Sequence, residues 1–256
     1  IGVMLIEDDE SYSSDLPKTY GLDDFTIIIQ DKTFDRNGLL KYELSKSILE
    51  DGFIGETLVV NGTIAPVFQP VPTGLVRFRI LNASNASFMS LSLSNGPLNV
   101  IASEGGFLSS TTQTDTLHMS PGERYEVLID MKENDSSQLL VKRGLPELKG
   151  IKGVLRELLK DGEIEETIIH LKRKDMKGFD GSIPKKLSTL SPPNKNKVSI
   201  VRNFLLQQNT GVDLEVLAHS LGYNCGYGSA MKINGKSMNM KRIDQKVKKG
   251  NTELWR

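Results

Sequence analysis

Alternation of apolar and polar residues is the dominant pattern of this chain. Val76, Phe78 and Ile80 alternate with Arg77 and Arg79, and the same two-residue period recurs in segments at 3–5, 25–30, 89–94 and 124–131. This period is typical of strands with one buried face. Turn-forming sequences separate the segments, at 35–38, 61–62, 94–97, 104–106 and 120–123. The pattern predicts an all-β, antiparallel sandwich or barrel whose other face is exposed to water.

Three other stretches depart from this period. Apolar residues at helical spacing predict two short helices, one formed by Leu39, Leu40, Leu44, Ile48 and Leu49 before Gly52, the other by Val154, Leu155, Leu158 and Leu159 before Gly162. Residues 181–197 are rich in Pro, Ser and Lys. We interpret them as an interdomain linker.

A weak internal repeat suggests more than one domain. Residues 59–79 are echoed by residues 232–256, each with an apolar residue, an Asn-Gly pair, a variable stretch, a Gly and a strand. In this alignment Val76 and Phe78 correspond to Thr252 and Leu254.

Two further segments have specific expectations. In "NASNAS", Asn82 and Asn85 are expected to form a corner, with Asn accepting positive φ and bonding its own backbone. Asn-x-Ser/Thr triplets at Asn61, Asn82, Asn85 and Asn134 are discounted as glycosylation sites because the sequence resembles bacterial ones. Glu123 and Arg124 are expected to form a structural pair after the turn at 120–123.

Composition narrows the possible partners. The 256 residues carry 32 basic and 32 acidic side chains, so the net charge gives no electrostatic footprint for nucleic acid or an acidic membrane surface. No apolar run approaches the ~20 residues of a membrane span. Cys225 is the single cysteine, which excludes an intramolecular disulfide and a cysteine-rich zinc site.

The amino-acid sequences of several segments resemble those of a known family. "IEDDE" followed by "LPKTYGLDDFTIIIQDKTFDRNG" resembles the junction of domains 1 and 2 in bacterial three-domain multicopper oxidases. The next segments, "DGFIGETLVVNG", "GLVRFRILNASNASF", "VIASEGGFL" and "MSPGERYEVLIDM", follow the order and spacing of the second domain of that family. "KINGKSMNMKRID" with "KKGNTELWR" resembles the start of the third domain. The likeness is greatest to copper efflux oxidases and bilirubin-oxidase-like enzymes, and it is poor over 140–230.

The resemblance implies a cupredoxin-like Greek-key β-sandwich or barrel with short helices. It implies the end of domain 1 at 1–14, domain 2 at 15–180, the linker at 181–197 and the start of domain 3 at 198–256. The chain is therefore expected to be a fragment, with the remaining cupredoxin domains of the same protein as its partners. A periplasmic or extracellular location is expected from the resemblance alone. The segment shows no signal-peptide pattern, which in a fragment carries no information on location.

Multicopper oxidases bind copper through His-x-His pairs of the first and third domains and a Cys flanked by His, and the second domain supplies none. His118, His170 and His219 have no second His two residues away, and Cys225 is followed by no histidine. We therefore assign no catalytic, cofactor-binding or metal-binding residue to this segment, and we read His118 and His170 as structural or surface residues. His219, Cys225 and Met231 remain a weaker set of soft ligands, with a loop or short helix as the alternative.

Two main functions and a lesser one remain open. The resemblance implies that the parent protein is a copper-containing, laccase-like enzyme that couples one-electron oxidation of metal ions or phenolic substrates to reduction of dioxygen to water. This segment would be its copper-free structural middle domain. The alternative is a copper-free cell-division scaffold of the same fold, and a two-domain, nitrite-reductase-like cupredoxin is a lesser option. Neither nucleic acid nor a membrane span is expected.

Overall fold

The computed structural model describes residues 3–9, 11, 14–42, 48, 52–144, 163–189, 194–208, 231–237, 239 and 241–256. These residues fall into two compact units. The first unit contains the described residues of 3–42 and 52–189, and the second contains residue 48 and the described residues of 194–256. A short 3₁₀ helix at Lys195–Lys197 precedes the strands of the second unit.

The described part of the first unit contains twelve strands: β1 (Asp24–Lys32), β2 (Thr57–Val60), β3 (Thr63–Ile64), β4 (Val67–Thr73), β5 (Leu75–Asn82), β6 (Met89–Leu93), β7 (Leu98–Ser103), β8 (Gly106–Thr114), β9 (Leu117–Met119), β10 (Arg124–Asp130), β11 (Ser136–Gly144) and β12 (Glu163–Lys177). They form a seven-stranded sheet in the order β3-β2-β1-β5-β10-β7-β8 and a five-stranded sheet in the order β4-β12-β11-β6-β9. The all-β class is confirmed.

The expectation of a purely antiparallel fold is wrong at two places in the first unit. Strand β1 runs parallel to β5, and β4 runs parallel to β12. Alternation along one strand fixes which face is buried but carries no information on the direction of the neighbour. Parallel pairing here joins strands that are distant in the sequence.

The main core lies between the two sheets. Val76, Phe78 and Ile80 of β5 are buried in it, as the alternation predicts, together with apolar residues of the five-stranded sheet such as Leu139 and Ile169. The Phe25 and Phe78 rings meet edge to face, with centroids 5.9 Å apart. The buried faces of the strands predicted at 25–30, 76–80, 89–94 and 124–131 are thus confirmed.

The opposite face of the seven-stranded sheet is not open to water, which corrects the expectation of one wet face. Leu16, Leu75, Ile101 and Leu128 form a second apolar cluster there. A segment at 179–188, here called the strap, packs Phe179, Ile183 and Leu187 against that cluster.

Hydrogen bonds fix the strap in place. The Leu75 amide donates to the Phe179 carbonyl at 2.9 Å, and the Leu187 amide donates to the Ser109 carbonyl at 3.0 Å. The Ser188 hydroxyl donates to the Leu108 carbonyl at 3.1 Å. The first residues of the predicted linker therefore cover the first unit, while its assignment as an interdomain linker stays a prediction.

The first predicted helix is wrong at Leu39 and Leu40, whereas Ile48 is helical. The Asp35 carboxylate accepts hydrogen bonds from the Asn37 and Leu39 amides, and Leu40 forms a β-bridge with Phe34. An Asp side chain that bonds amides two and four residues later stabilises a turn in competition with a helix. Residues 43–47 and 49–51 lie outside the described residues, as does the whole predicted helix before Gly162.

The alternating start of the chain forms no strand either. Residues 3–8 lack regular structure and are exposed. In the described part of the chain no strand pairs with them, and an unpaired strand has no partner for its backbone groups.

The described part of the second unit contains β13 (Val198–Arg202), β14 (Leu206–Gln208), β15 (Met231–Ile233), β16 (Lys236–Ser237) and β17 (Thr252–Trp255). Strand β13 is parallel to β17, and β14-β15-β16 form a separate antiparallel sheet. This arrangement repeats that of β1, β2, β3 and β5.

The repeat is clearest at its two Asn-Gly turns. Asn61 and Asn234 have φ of 50° and 51°, each followed by a Gly of positive φ. The Asn61 side chain accepts from the Ile28 amide at 2.8 Å and donates to the Thr26 carbonyl at 2.9 Å. The Asn234 side chain repeats both bonds.

In the second turn, Asn234 accepts from the Leu205 amide at 2.7 Å and donates to the Asn203 carbonyl at 3.0 Å. The turns therefore align Thr26 with Asn203. Since Phe25 pairs with Phe78 and Arg202 pairs with Trp255, Trp255 is the counterpart of Phe78.

The alignment of Phe78 with Leu254 is consequently wrong by one residue. A one-residue shift moves every side chain of a strand to the other face. The register is fixed by pairing with β13, which the sequence pattern alone does not contain.

Candidate functional site

The two described histidines each have a neighbour within their own sheet. His118 of β9 places Nδ1 2.8 Å from the Ser90 hydroxyl oxygen of β6. The His170 ring of β12 stacks on Phe68 of β4, with centroids 4.9 Å apart and planes inclined by 19°. Both histidines are thus surface residues of the five-stranded sheet.

The histidines do not form a shared copper site. Strands β9 and β12 are separated by β11 and β6, which at about 4.8 Å per strand spacing places them about 14 Å apart. Two imidazole nitrogens on one metal ion lie within about 4 Å of each other. Within the described residues, no group of three or more His, Cys, Asp or Glu side chains is suited to a metal ion.

The described residues therefore do not fit the copper that the family resemblance implies. His219 and Cys225 lie outside them, and of Met231 the structure describes the backbone, as the first residue of β15. The assignment of no metal ligand to this segment stays a prediction.

A cluster of ion-paired side chains, here called the charged cluster, lies on the strap side of the seven-stranded sheet. It consists of Arg77 and Arg79 of β5, Asp24 of β1, Glu126 of β10, and Glu7 from the segment before β1. The Arg77 and Asp24 side chains are 3% and 2% exposed. Burying charges in this way is unfavourable unless they are paired.

Pairing within the cluster is dense. The Arg79 guanidinium donates to both carboxylate oxygens of Asp24, through Nε at 3.0 and 3.1 Å and through a terminal nitrogen at 2.6 Å. The Arg77 Nε donates to Glu126 at 3.0 Å, and a terminal nitrogen contacts the same carboxylate. Forked contacts of this kind fix geometry as well as charge.

Burial and ion pairing act in opposite directions on Arg79. Burial disfavours its charge, but the hydrogen bond to Asp24 and the charges of Asp24, Glu126 and Glu7 outweigh it and raise the pKa of Arg79 above its ordinary value. The guanidinium is therefore a permanent cation that neither accepts nor releases protons, which suits a fixed electrostatic anchor.

The cluster also binds the chain that precedes β1. Arg79 donates to Glu7 at 3.1 Å, and Arg77 donates to the Pro17 carbonyl at 3.4 Å. Leu16 is buried in the second apolar cluster nearby. Strand β5 thus connects the centre of the seven-stranded sheet to the segment that precedes β1.

The Asn82 corner is a second network of buried polar groups. The Asn82 amide donates to the carbonyls of Ser87 and Met119 at 2.9 and 3.1 Å, and its oxygen accepts from Ser84. Asn82 is fully buried, so the side chain is inaccessible to glycosylation. The predicted bonding to local backbone is confirmed, but the positive φ is wrong, because Asn61, Glu104 and Asn234 are the non-glycine residues with positive φ in the described part.

A third polar group connects β1 with the five-stranded sheet. The buried Asp31 carboxylate accepts from the Gly55 amide at 2.7 Å and from the Ser87 hydroxyl. Arg143 of β11 donates to the Gly55 carbonyl at 2.7 Å and to Glu166 at 3.1 Å. Segment 52–56 is thereby held between the two sheets.

Glu123 and Arg124 do not pair with each other, which corrects that expectation. Glu123 accepts from the Ser120 amide at 2.7 Å and closes its turn, while Arg124 pairs with Glu104 near the β7–β8 turn. Adjacent residues at the start of a strand point to opposite faces, so each finds a different partner.

Sequence reasoning missed Asp24, Glu126, Asp31 and Arg143 as the important polar residues. The alternating arginines of β5 were a signal, since two like charges on one face of a strand favour acids at the facing positions of adjacent strands. The acids themselves are 49 and 55 residues from their arginine partners. Their identity follows from the pairing of β5 with β1 and β10.

Comparisons with known proteins agree with the fold. Residues 23–146 match the family model described as multicopper oxidase. The chain is similar to the cell division protein FtsP of Edwardsiella tarda, with 35% identity over 99% of this chain and 49% of that protein. It is also similar to the cell division protein FtsP of Yersinia pestis, with 36% identity over 99% of this chain and 48% of that protein. The chain thus spans about half the length of these curated relatives.

Solved structures give the same architecture. The laccase-like multicopper oxidase CueO of the lignin-degrading bacterium Ochrobactrum sp. superposes with a TM-score of 0.76 at 30% identity, over 97% of this chain and 52% of that one. The McoA multicopper oxidase of Aquifex aeolicus gives a TM-score of 0.64 at 31% identity, over 79% of this chain and 43% of that one. In the described residues no helix is both long and apolar enough to cross a membrane. The first unit therefore has a cupredoxin-like fold that resembles a domain of multicopper oxidases.

Proposed function

We propose that this chain is the architectural middle part of a cell-division protein with a multicopper-oxidase-like fold. The observation that carries the proposal is the similarity to cell division proteins named FtsP over nearly the whole chain, at 35% and 36% identity. The polar networks of the first unit fit such a role, because they connect strands and the entering segment to one another.

The charged cluster is the main support for an architectural role. Arg77 and Arg79 are paired with carboxylates on both neighbouring strands, so they present no free charge to a substrate. Their further bonds to Glu7 and to the Pro17 carbonyl fix the entry of the chain into the domain. Fixing the segment before β1 also fixes the position of the part of the protein that precedes it. A domain that spaces two others must do this.

The second candidate is a multicopper oxidase whose copper ligands lie outside the described residues. It is favoured by the superposition on the laccase-like CueO of Ochrobactrum sp.. In that case the longer protein would oxidise metal ions or phenolic compounds, and this segment would keep the same architectural role. An exported location, periplasmic or extracellular, belongs to both candidates.

Copper content and cell morphology of the longer protein separate the two. After loading with copper and removal of excess metal, a cell-division protein is expected to retain no stoichiometric copper, to show no blue absorption and to consume no dioxygen with a phenolic substrate. Deletion of its gene is expected to give elongated, undivided cells. Stoichiometric copper with dioxygen uptake, and normal division in the deletion strain, would establish the oxidase instead.

A further inference from the structure

The zero net charge of the chain is the sum of two oppositely charged parts. Residues 191–256 contain eleven basic and four acidic residues, whereas residues 1–190 contain 21 basic and 28 acidic ones. Electrostatic attraction of a charged partner depends on the local surface rather than on the total. The inference from net charge that excludes an acidic surface as a partner therefore does not hold for the second unit.

Much of this positive charge lies in one loop, residues 241–250, here called the basic loop. Its sequence, "KRIDQKVKKG", has five basic residues and one acidic residue. All ten residues are exposed. In the described part of the chain, no hydrogen bond or ion pair engages the side chains of Lys241, Lys246, Lys248 and Lys249.

Hydrogen bonds fix the conformation of the basic loop, and its lysine side chains therefore stay exposed to solvent. Arg202 of β13 donates to the Gln245 side chain at 2.8 Å and to the Lys246 carbonyl at 3.0 Å. Asp244, the single acid of the loop, accepts from Arg242 at 2.7 Å and from Lys236 at 3.2 Å. The acid is thus satisfied within the protein and does not neutralise the lysines.

Two apolar side chains lie among these cations. Ile243 is 73% exposed and Val247 is 53% exposed. Exposed aliphatic residues between lysines are typical of segments that lie in a lipid interface, where the apolar groups enter the acyl boundary and the cations meet anionic headgroups.

We propose that the basic loop docks the protein onto an anionic phospholipid surface. Lys241, Lys246, Lys248 and Lys249 provide the attraction, and Ile243 and Val247 provide shallow apolar insertion. Nucleic acid fits less well, because the loop has no aromatic side chain for base stacking, which single-strand binding uses. The proposal is independent of whether the longer protein binds copper.

The test is sedimentation of the full chain with vesicles of phosphatidylethanolamine containing phosphatidylglycerol, compared with vesicles of phosphatidylcholine. The triple variant K246Q/K248Q/K249Q removes three exposed charges. Each lysine near an anionic surface contributes about fivefold in partitioning, so the triple is expected to bind the phosphatidylglycerol vesicles about 100-fold more weakly. Binding of the unsubstituted chain is expected to fall as salt is raised.

A matched control removes three exposed lysines of the first unit, K172Q/K174Q/K177Q on β12, and is expected to bind as the unsubstituted chain does. The double variant I243S/V247S is expected to weaken vesicle binding while leaving retention on heparin unchanged. Circular dichroism and Trp255 fluorescence verify that the variants are folded. If a loop variant fails to fold, the salt dependence and lipid preference of the unsubstituted chain decide.

Three outcomes would overturn the proposal. One is equal binding to both kinds of vesicle, and another is equal loss in the two triple variants. The third is displacement of the chain from vesicles by single-stranded DNA at lower concentration than by anionic lipid, which would assign the loop to nucleic acid.

Discussion

At the scale of single residues, the first unit depends on a few buried charges whose partners are set by geometry. Arg79 makes a forked contact with Asp24, and the Asp24 side chain is 2% exposed while that of Arg79 is 10% exposed. Attraction between buried charges is strong but compensates a large loss of hydration, so the arrangement tolerates no missing partner. By contrast, Arg124 and Glu104 are about half exposed and remain hydrated if separated.

Asp24→Asn is expected to lower the free energy of unfolding by about 2 kcal/mol or more. An amide presents one acceptor oxygen to Arg79 where the carboxylate presents two, and its NH₂ group then faces a guanidinium. Urea denaturation at neutral pH measures the loss.

The matched control for Asp24→Asn is Glu104→Gln, which breaks an Arg–carboxylate pair of the same chemistry on the surface. It is expected to change the unfolding free energy by about 1 kcal/mol or less. Equal effects of the two substitutions would mean that the charged cluster has no special role in stability.

At the scale of elements, the two Asn-Gly turns show one local solution used twice. Each Asn adopts the left-handed conformation, and its side chain binds an amide and a carbonyl of the segment beside the hairpin. The turn therefore does more than reverse the chain, since it attaches β2 to β1 and β15 to the segment before β14. The pairing of β13 with β17 then corrects the alignment of the repeat by one residue.

Asn61→Ala is expected to destabilise its hairpin by about 2 kcal/mol, because it removes two hydrogen bonds and leaves at positive φ a residue that tolerates this conformation less well than asparagine. Asn234→Ala is expected to do the same in the second unit. Amide hydrogen exchange measures each effect locally, at Ile28 for the first substitution and at Leu205 for the second.

Asn61→Gly separates the two contributions, since glycine accepts the positive φ but has no side chain to bond β1. It is expected to cost less than Asn61→Ala. If Asn61→Ala accelerated amide exchange more at Leu205 than at Ile28, relative to the unsubstituted chain, the assignment of this side chain to β1 would be contradicted.

At the scale of the whole molecule, the strap decides which surface of the first unit is closed. Phe179, Ile183 and Leu187 cover the apolar cluster formed by Leu75, Ile101 and Leu128 with Leu16. A segment with the composition of a linker thus completes the packing of a domain. The boundary of the folded unit is therefore later than the end of its last strand at Lys177.

A chain that ends after Thr189 is expected to fold cooperatively, whereas one that ends after Gly178 is expected to be less stable by several kcal/mol. Loss of the strap exposes apolar area at about 25 cal/mol per Å². Thermal unfolding followed by circular dichroism compares the two chains. Equal midpoints would show that the strap is not part of the folding unit.

Substitution within the intact chain tests the same point without truncation. Phe179→Ala with Leu187→Ala removes the apolar contacts but keeps the backbone bonds to Leu75 and Ser109. It is expected to lower stability by about 2 to 4 kcal/mol, since both side chains are partly buried. Lys185→Ala with Lys186→Ala, on the exposed side of the strap, is the control and should have little effect.

The sequence predicted the strands and turns of the first unit well and the polar sites poorly. The alternation of apolar and polar residues in β5 predicted which of its faces is buried, because alternation is a property of consecutive residues. The helix expected at Leu39 and Leu40 failed because the Asp35 side chain stabilises a competing turn. The acidic partners of Arg77 and Arg79 were not identified because they are separated from them by about fifty residues.

What the sequence determined by itself is local: which segments are strands, which of their faces is apolar, and where Asn-Gly forces a reversal. These features follow from side-chain alternation and from backbone conformations that few residues accept. The tertiary structure decided which strands are parallel, that the strap closes the second face of the sheet, and that Asp24 and Glu126 surround the arginines of β5. Each of these depends on neighbours brought together by folding, and the free energy of such contacts is a property of the assembled sheet rather than of any segment.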